Sequence, residues 1–277
     1  MISLADGYSE NNFHIDKQRL KTKISNIEPN KIVIRGYNQE DLIDNISYTD
    51  MCFLLLKGYM PSLKESKIFN HILVSFGDHG VTPPSTQTSR LIASSGSPLN
   101  NSLAGGLLSF GKNHAGAIEK SMDLFQNSIN SVNLCGDNDI DNKLIAKLAI
   151  EVYGKYISSH KKIPGFGHRY HKKDPRGSKL IEIAIEEGMI GPHTKLAMSI
   201  EKLLMEKKGV CINVDGANGG LLSDLGFPPE LGLGIFMIGR VPGLIAHSYE
   251  EMHNEDEFRK FFSLDDIDYI GRESKQL

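Results

Sequence analysis

A chain of 277 residues with 40% hydrophobic and 23% charged residues is long enough for one large core or two modest ones. Its net charge of −3 at pH 7 gives no global basic field, so nucleic acid and anionic membranes are excluded as expected partners and any anion site must be local. Three dispersed cysteines, Cys52, Cys135 and Cys211, form neither a paired metal motif nor a disulfide framework, which points to a reducing, cytoplasmic setting.

Residues 1–30 are polar and Asn/Lys-rich and read as an N-terminal arm; the opening MISLADGYSENNF lacks a basic start followed by an apolar stretch, so no signal peptide is expected. KIVIRGY (31–37) alternates apolar and polar residues and suits a short strand. Helical spacing follows at 40–57, 62–77 and 98–110. After the cap residue Asp141, the positions Leu144, Ile145, Leu148, Ala149, Val152 and Tyr156 define an amphipathic helix over 142–158. Further helices are expected at 178–187, at 193–208 with Gly209 as its stop, and at 233–252. Nowhere do 18 apolar residues run together, so no membrane span is expected. The chain reads as mainly α.

Between these helices lie glycine- and proline-rich joints at 77–85, 109–117, 164–177 and 213–220. They embed chemistry-bearing residues among glycines: His79 in DHG, His114 in NHAG, His168 in GFGHR and Asp215 in VDG. Glycine lets backbone and ligand approach closely, and loops on a rigid helical scaffold commonly carry function. One carboxylate with several histidines suits proton removal beside a carbonyl, the imidazoles holding the enolate and an electrophilic carbonyl. No GxSxG elbow, HExxH or cysteine pair is present, and Pro164 and Pro175 break any helix that would align His168 with His171, so no metal is expected. His160, His193 and His253 read as ordinary caps or surface residues.

Six ordered blocks carry a resemblance: IRGYNQEDL with LLLKGYMPS, DHG, LIASSGSPLNNSLAGGLLSFGKNHAGA, PGFGHRYHKKDPR, NVD and GRVPGLIAHSYEE. Over residues 31–271 the chain resembles the citrate synthase superfamily. Its short length, with LSDLGFPPELGLGIF and RVPGLIAH, is most similar to the citryl-CoA lyase type and to the citryl-CoA-cleaving module of ATP-citrate lyase. The resemblance implies an all-α, two-domain helical fold, with a large domain at 31–112 and 222–277, a small domain at 113–221, and the active site in the cleft between them. It implies His114 as the enol-stabilising histidine, His168 as the histidine facing the oxaloacetate carbonyl and Asp215 as the catalytic base. His79, Arg176 and Arg240 fall at positions that bind oxaloacetate or citrate oxygens. Ile163, Pro164, Gly165 and Gly167 fall in the CoA-contacting loop, with Arg169 and Lys172 beside the CoA phosphates; a solvated basic loop is the alternative for Lys172 and Lys173. No tightly bound cofactor is implied, a CoA thioester being substrate. The implied partners are acetyl-CoA or citryl-CoA, oxaloacetate, and a second copy in a homodimer, for which Leu99–Phe110 reads either as an interface helix or as a core helix.

Three departures bear on activity. His168 and Arg176 stand one residue closer than in full-length synthases. NVD continues as Gly216-Ala217-Asn218, where synthases have an aromatic residue, a serine and a glycine. Near Asp268 the chain has Leu264 and no arginine to reach a partner's site. Direction is not fixed by these residues: citryl-CoA cleavage leads, with citrate synthase, a 2-methylcitrate-type synthase, and a non-catalytic CoA or metabolite sensor as alternatives.

Overall fold

The computed structural model describes residues 20–132 and 141–276, so Cys135 and most of the Asn/Asp-rich loop lie outside it, as does the arm before residue 20. The chain divides into two compact units, Met1–Met60 and Pro61–Leu277.

In the first unit, β1 (Ser25–Glu28), β2 (Lys31–Ile34) and β3 (Tyr37–Asn38) form an antiparallel sheet in sequence order, with Ser25 opposite Ile34 and Glu28 opposite Lys31. The strand expected in KIVIRGY is present as β2. The single helix expected over 40–57 is two, α1 (Gln39–Asn45) and α2 (Tyr48–Lys57). Ser47 is the reason: its backbone is extended, its side chain accepts from the Asp50 amide, and the Asp50 carboxylate accepts from the Ser47 amide, a capping box that starts a new helix. Ile34, Leu42 and Leu54 form a small core flanked by Ile46, Met51, Leu55 and Met60.

The second unit is helical. It runs α3 (Leu63–Phe76), α4 (Pro84–Ser94), α5 (Leu99–Leu108), α6 (Ala117–Asn130), α7 (Asn142–Ser158), α8 (Pro175–Glu186), α9 (Pro192–Lys208), α10 (Val214–Asp224) and α11 (Leu231–Asn254). The mainly α expectation holds. α7 and α9 fall where apolar periodicity put them, capped by Asp141 and closed by Gly209 in the left-handed conformation (φ 64°). In α5 the buried residues are Ser102 and Gly106, while Leu108 is 84% exposed.

The joint expected at 213–220 is instead the first half of α10. Its glycines are what the packing requires: a Cβ on Gly219 would lie 2.8 Å from Ser121 Cβ, and one on Gly220 would lie 3.0 Å from Thr194 Cα. α10 can therefore sink between α6 and α9. α11 packs on α3, α4, α5 and α6. It is tied to α4 by Arg90, which pairs with Glu251 and Glu250 at 2.6 Å each and with Glu255 at 3.1 Å.

The tightest seam joins the loop before His168 to α10. Gly165 (φ 84°) and Gly167 (φ 79°) occupy conformations that favour glycine. A Cβ on Gly165 would stand 2.5 Å from Gly216 Cα, and one on Gly216 would stand 2.2 Å from the Gly165 carbonyl oxygen. The loop is stitched to the strand-like 211–213 segment by Gly167 N–H to Cys211 O (2.8 Å) and Asn213 N–H to Gly165 O (3.0 Å). Gly216→Ala should cost about 1–3 kcal/mol through overpacking of main chain on main chain. Gly154→Ala, in mid-α7 with open space around it, should gain about 0.5–1 kcal/mol; urea unfolding of the two variants checks both signs.

Candidate active site

One cavity of about 280 Å³ collects residues from the turn after α3, the start of α4, the 111–117 loop, the 167–176 loop, the start of α10 and the middle of α11. Each wall is built by a local rule. Asp174 caps α8: its carboxylate accepts from the Arg176 amide (3.1 Å), from Arg176 Nε and Nη2 (3.0 Å each) and from the Val214 amide at the first residue of α10 (3.0 Å). Burial pushes this carboxyl up, but the Arg176 guanidinium and the two amides outweigh it and hold it below the usual carboxylate range.

Asn213 caps α10. Its Oδ1 accepts from the Asp215 and Gly216 amides at 3.0 and 3.1 Å, and its Nδ2 donates to Gly167 O at 2.7 Å. The same side chain thus fixes Asp215 and the loop entering His168. Asp215 is treated differently from Asp174. Its residue surface is only partly covered, yet its carboxyl is enclosed and Oδ1 is buried with no hydrogen-bond partner. Burial raises its pKa from 3.8 to about 6; Arg176 and Arg240 oppose the rise and Asp174 adds to it. A carboxyl poised there can take or give a proton near neutral pH.

The histidines have assigned hydrogens. His114 sits in a tight turn in which the Gly111 and His114 amides bond to each other's carbonyls at 2.9 and 3.0 Å. Its Nε2 receives the Ser85 amide (3.4 Å) at the N-terminal turn of α4 and lies 2.8 Å from Ser85 Oγ. With Nε2 as acceptor, Nδ1 carries the proton as a donor. Burial, then the Arg240 and Arg169 charges, lower its pKa to about 4, so the ring is neutral at pH 7. His168 Nδ1 accepts the Tyr170 and His171 amides at 3.1 and 3.2 Å, which leaves Nε2–H as its donor. Burial lowers the pKa values of His168 and His79 as well.

His79, His168 and His171 group closely, their candidate ligand nitrogens within 4.8 Å of one another. A metal on His168 Nε2 would demand a hydrogen on Nδ1, where two amide hydrogens already point. His168 is thus held as a hydrogen-bond donor through Nε2.

Arg240 is buried, 2% exposed, and donates from Nε to Phe76 O at 2.6 Å. It has no ion pair within 4.0 Å among the described residues, so its positive charge is available to an anion in the cavity. Arg176 also lines the cavity, with Nε and Nη2 already committed to Asp174.

Of the residues singled out in the sequence, His79, His114, His168, Arg169, Arg176, Asp215, Arg240 and Gly167 line this cavity. Ile163, Pro164 and Gly165 line a second cavity of about 1030 Å³, which shares Lys112, Asn113, Ala117 and Asn213 with the first. Lys172 lines neither. The second cavity brings together Lys112, Lys120, Lys155, Lys161 and Lys162, which the sequence reading had not singled out. Ser85 was missed because its partner His114 lies 29 positions away; Asn213 before VDG and Asp174 before Pro175 carried a local N-cap signal, while their second partners, Gly167 and Val214, are distant in sequence. Gly216, where synthases carry an aromatic residue, is explained by the Gly165 carbonyl, which leaves no room for a Cβ.

Residues 61–260 match the family described as citrate synthase, C-terminal domain. The citrate synthase of Heyndrickxia coagulans is 30% identical over 248 residues, 87% of this chain and 62% of that protein, so the chain spans under two thirds of this relative. A solved citryl-CoA lyase from Hydrogenobacter thermophilus superposes with a TM-score of 0.82 and 38% identity, covering 93% of this chain and 97% of that one. An ATP citrate lyase from Methanosaeta concilii, solved with (3S)-citryl-CoA, shares the fold at a TM-score of 0.76 and 22% identity over 92% of this chain and 42% of its own.

Because the ionised Asp215 carboxyl is paid no compensating hydrogen bond at Oδ1, Asp215→Asn should stabilise the protein at pH 8 by up to about 2–3 kcal/mol. The wild-type protein keeps its full stability below the unfolded value of 3.8 and loses this part as pH rises toward about 6. The gain should therefore vanish near pH 4, grow between pH 4 and 6 and stay constant above, as read by denaturant melts across pH.

Proposed function

The chain belongs to the citrate synthase family, and from that premise we propose that it makes or breaks the carbon–carbon bond between acetyl-CoA and oxaloacetate, cleavage of citryl-CoA being the favoured direction. The observation that carries this reading is Asp215, a carboxyl near pKa 6 with an unpartnered oxygen, in one cavity with two imidazoles of fixed tautomer and an unpaired buried arginine.

In the condensation direction Asp215 removes a methyl proton from the thioester, and His114 Nδ1–H holds the enolate oxygen. Neutrality matters, because the N–H of a neutral imidazole is a weak acid and can hold the enolate oxygen by a hydrogen bond without handing its proton over. His168 Nε2–H polarises the ketone and holds the alkoxide as the bond forms; the alkoxide takes a proton from solvent, to which Asp215 returns the one it removed. Arg240, with Arg176 and His79, faces the dicarboxylate. Cleavage retraces these steps by microscopic reversibility: the hydroxyl gives its proton to solvent while His168 Nε2–H holds the alkoxide, the bond breaks, and the protonated Asp215 delivers its proton to the enolate carbon.

The second cavity gives the thioester its remaining length. Five lysines surround it, and it opens onto the Gly165 loop and onto Lys112 and Asn213 of the reacting site. A 3′-phosphorylated nucleotide diphosphate fits that charge, and its pantetheine arm would run toward Asp215. This favours the lysine groove over Lys172 and Lys173 as the anchor for the phosphates. A cytoplasmic homodimer is part of the proposal. Buried free thiols at Cys52 and Cys211 suit a reducing compartment, and exposed Leu108, Phe261, Phe262 and Ile270 offer apolar surface for a second copy. The low identity to synthases and the 38% identity to a citryl-CoA lyase favour cleavage without release of citrate.

Two parallel incubations followed by mass spectrometry of thioesters test the reading, one with citryl-CoA and one with acetyl-CoA plus oxaloacetate. Acetyl-CoA and oxaloacetate should appear from citryl-CoA without free citrate. Free citrate and CoA from the second mixture would favour a synthase, and silence in both would reject the reaction class. Asp215→Ala should lower turnover by at least about 10³-fold with CoA binding retained. In the wild type, kcat/KM for condensation should rise about tenfold per pH unit up to about pH 6 and then level off, because only the ionised carboxylate can take the methyl proton.

A further inference from the structure

We propose that His247, acting through Asp78, is a positioning residue for the oxo-acid side of the cavity, holding the His79 turn against the helix that carries Arg240. The inference rests on the oxaloacetate reading of that cavity and assigns a role to two residues outside it.

α3 ends at Phe76, and the chain turns through Gly77, Asp78, His79 and Gly80 (φ 72°) before α4. Asp78 spans this turn. Its Oδ2 accepts from the Gly80 amide at 2.9 Å, so the carboxylate bridges across His79, and its Oδ1 lies 3.0 Å from His247 Nε2 on α11. The His247 hydrogens follow from its other side, where Arg90 Nη1 donates to Nδ1 at 3.4 Å. Nε2 is therefore the N–H that meets the carboxylate.

The far end of this contact is anchored. Arg90 is 7% exposed and is held by Glu251, fully buried, and by Glu250 and Glu255. Glu250 Oε2 also stands 3.9 Å from His247 Nδ1, so Asp78, Arg90 and Glu250 are the charged groups facing the imidazole. Asp78 itself is half-exposed, and attraction between charges across such a contact contributes little in water. Its value lies in geometry.

α11 meets the end of α3 along one stripe. A Cβ on Gly239 would stand 2.7 Å from Leu73 O, Arg240 donates to Phe76 O, and a Cβ on Gly243 would stand 2.3 Å from Gly77 O and 3.2 Å from Asp78 Oδ1. His247 continues the spacing of four residues, which keeps side chains on one helix face. It supplies the side-chain tie to the residue next to His79. His79 and Arg240, the two groups on this wall expected to meet the oxo acid, thereby keep a fixed mutual placement. His247 lines neither the reacting cavity nor the lysine groove. Loosening this tie should consequently weaken the dicarboxylate and spare the CoA thioester, a selectivity that general loss of packing would not produce.

Isothermal calorimetry on the full chain tests this, with oxaloacetate and CoA titrated separately into wild type, His247→Ala and His247→Gln, alongside thermal melts. The glutamine amide can place an N–H near Asp78 and an oxygen near Arg90. We expect His247→Ala to raise the oxaloacetate Kd about tenfold, the scale of one lost charge-assisted hydrogen bond, with the CoA Kd within about twofold of wild type, and His247→Gln to recover most of the loss. An unchanged oxaloacetate Kd in His247→Ala, equal weakening of both ligands together with a lowered Tm, or a glutamine variant no better than alanine would overturn the inference. A wild-type protein that binds CoA and takes no oxaloacetate would overturn the oxo-acid reading itself, and this inference with it.

Discussion

The arrangement of the site depends on one buried carboxylate, Asp174. It closes the N-terminus of α8, grips Arg176 through two nitrogens and receives the first amide of α10. Two helix starts that are forty residues apart in sequence are therefore joined by a single side chain. Every donor it meets would lose its partner if that carboxylate were removed, and breaking a buried ion pair from one side commonly costs about 3–5 kcal/mol. Because Asp215 is the next residue after Val214, what fixes the fold here also fixes the proton-transferring group.

Asp174 and Asp215 illustrate how surroundings assign opposite roles to one residue type. Asp174 has a full set of donors and stays ionised, a structural anion. Asp215 has an oxygen with no donor and keeps its proton up to about pH 6. Arg176 acts on both: it satisfies the first and only tempers the second. The imidazoles are sorted by the same economy of donors, since backbone amides occupy one nitrogen of His114 and of His168 and leave the other nitrogen to carry the hydrogen.

Much of the site was legible because its reacting residues stand in short glycine-rich words such as NHAG, GFGH and NVDG. Their supporting partners were not, since Ser85 meets His114 across 29 positions and Asp174 meets Val214 across 40. Helices obeyed the same division. α7 and α9 bury apolar residues at regular spacing and could be read directly. α4 was hidden because its buried face is Ser85, Thr86, Ser89, Arg90, Ala93 and Ser94, and polar residues carry no hydrophobic period. α10 was hidden because Gly216, Gly219 and Gly220 argue against a helix locally while tertiary packing demands them. α6, in contrast, shows Ile118, Met122, Phe125 and Ile129 at helical spacing, so that omission was one of reading, not of signal.

The contact of Gly165 with Gly216 limits how this site can vary in descent. On this backbone a side chain at either position runs into main chain, and no exchange at the other position can make room, so a side chain such as the aromatic residue of synthases at the Gly216 position needs the loop itself to stand elsewhere. Substitution there cannot come alone, because the main chain must move with it. Altering the length of the loops that lead into the seam remains open, and the step from His168 to Arg176, one residue shorter than in full-length synthases, is a change of that kind. Across this seam, shape is inherited as spacing.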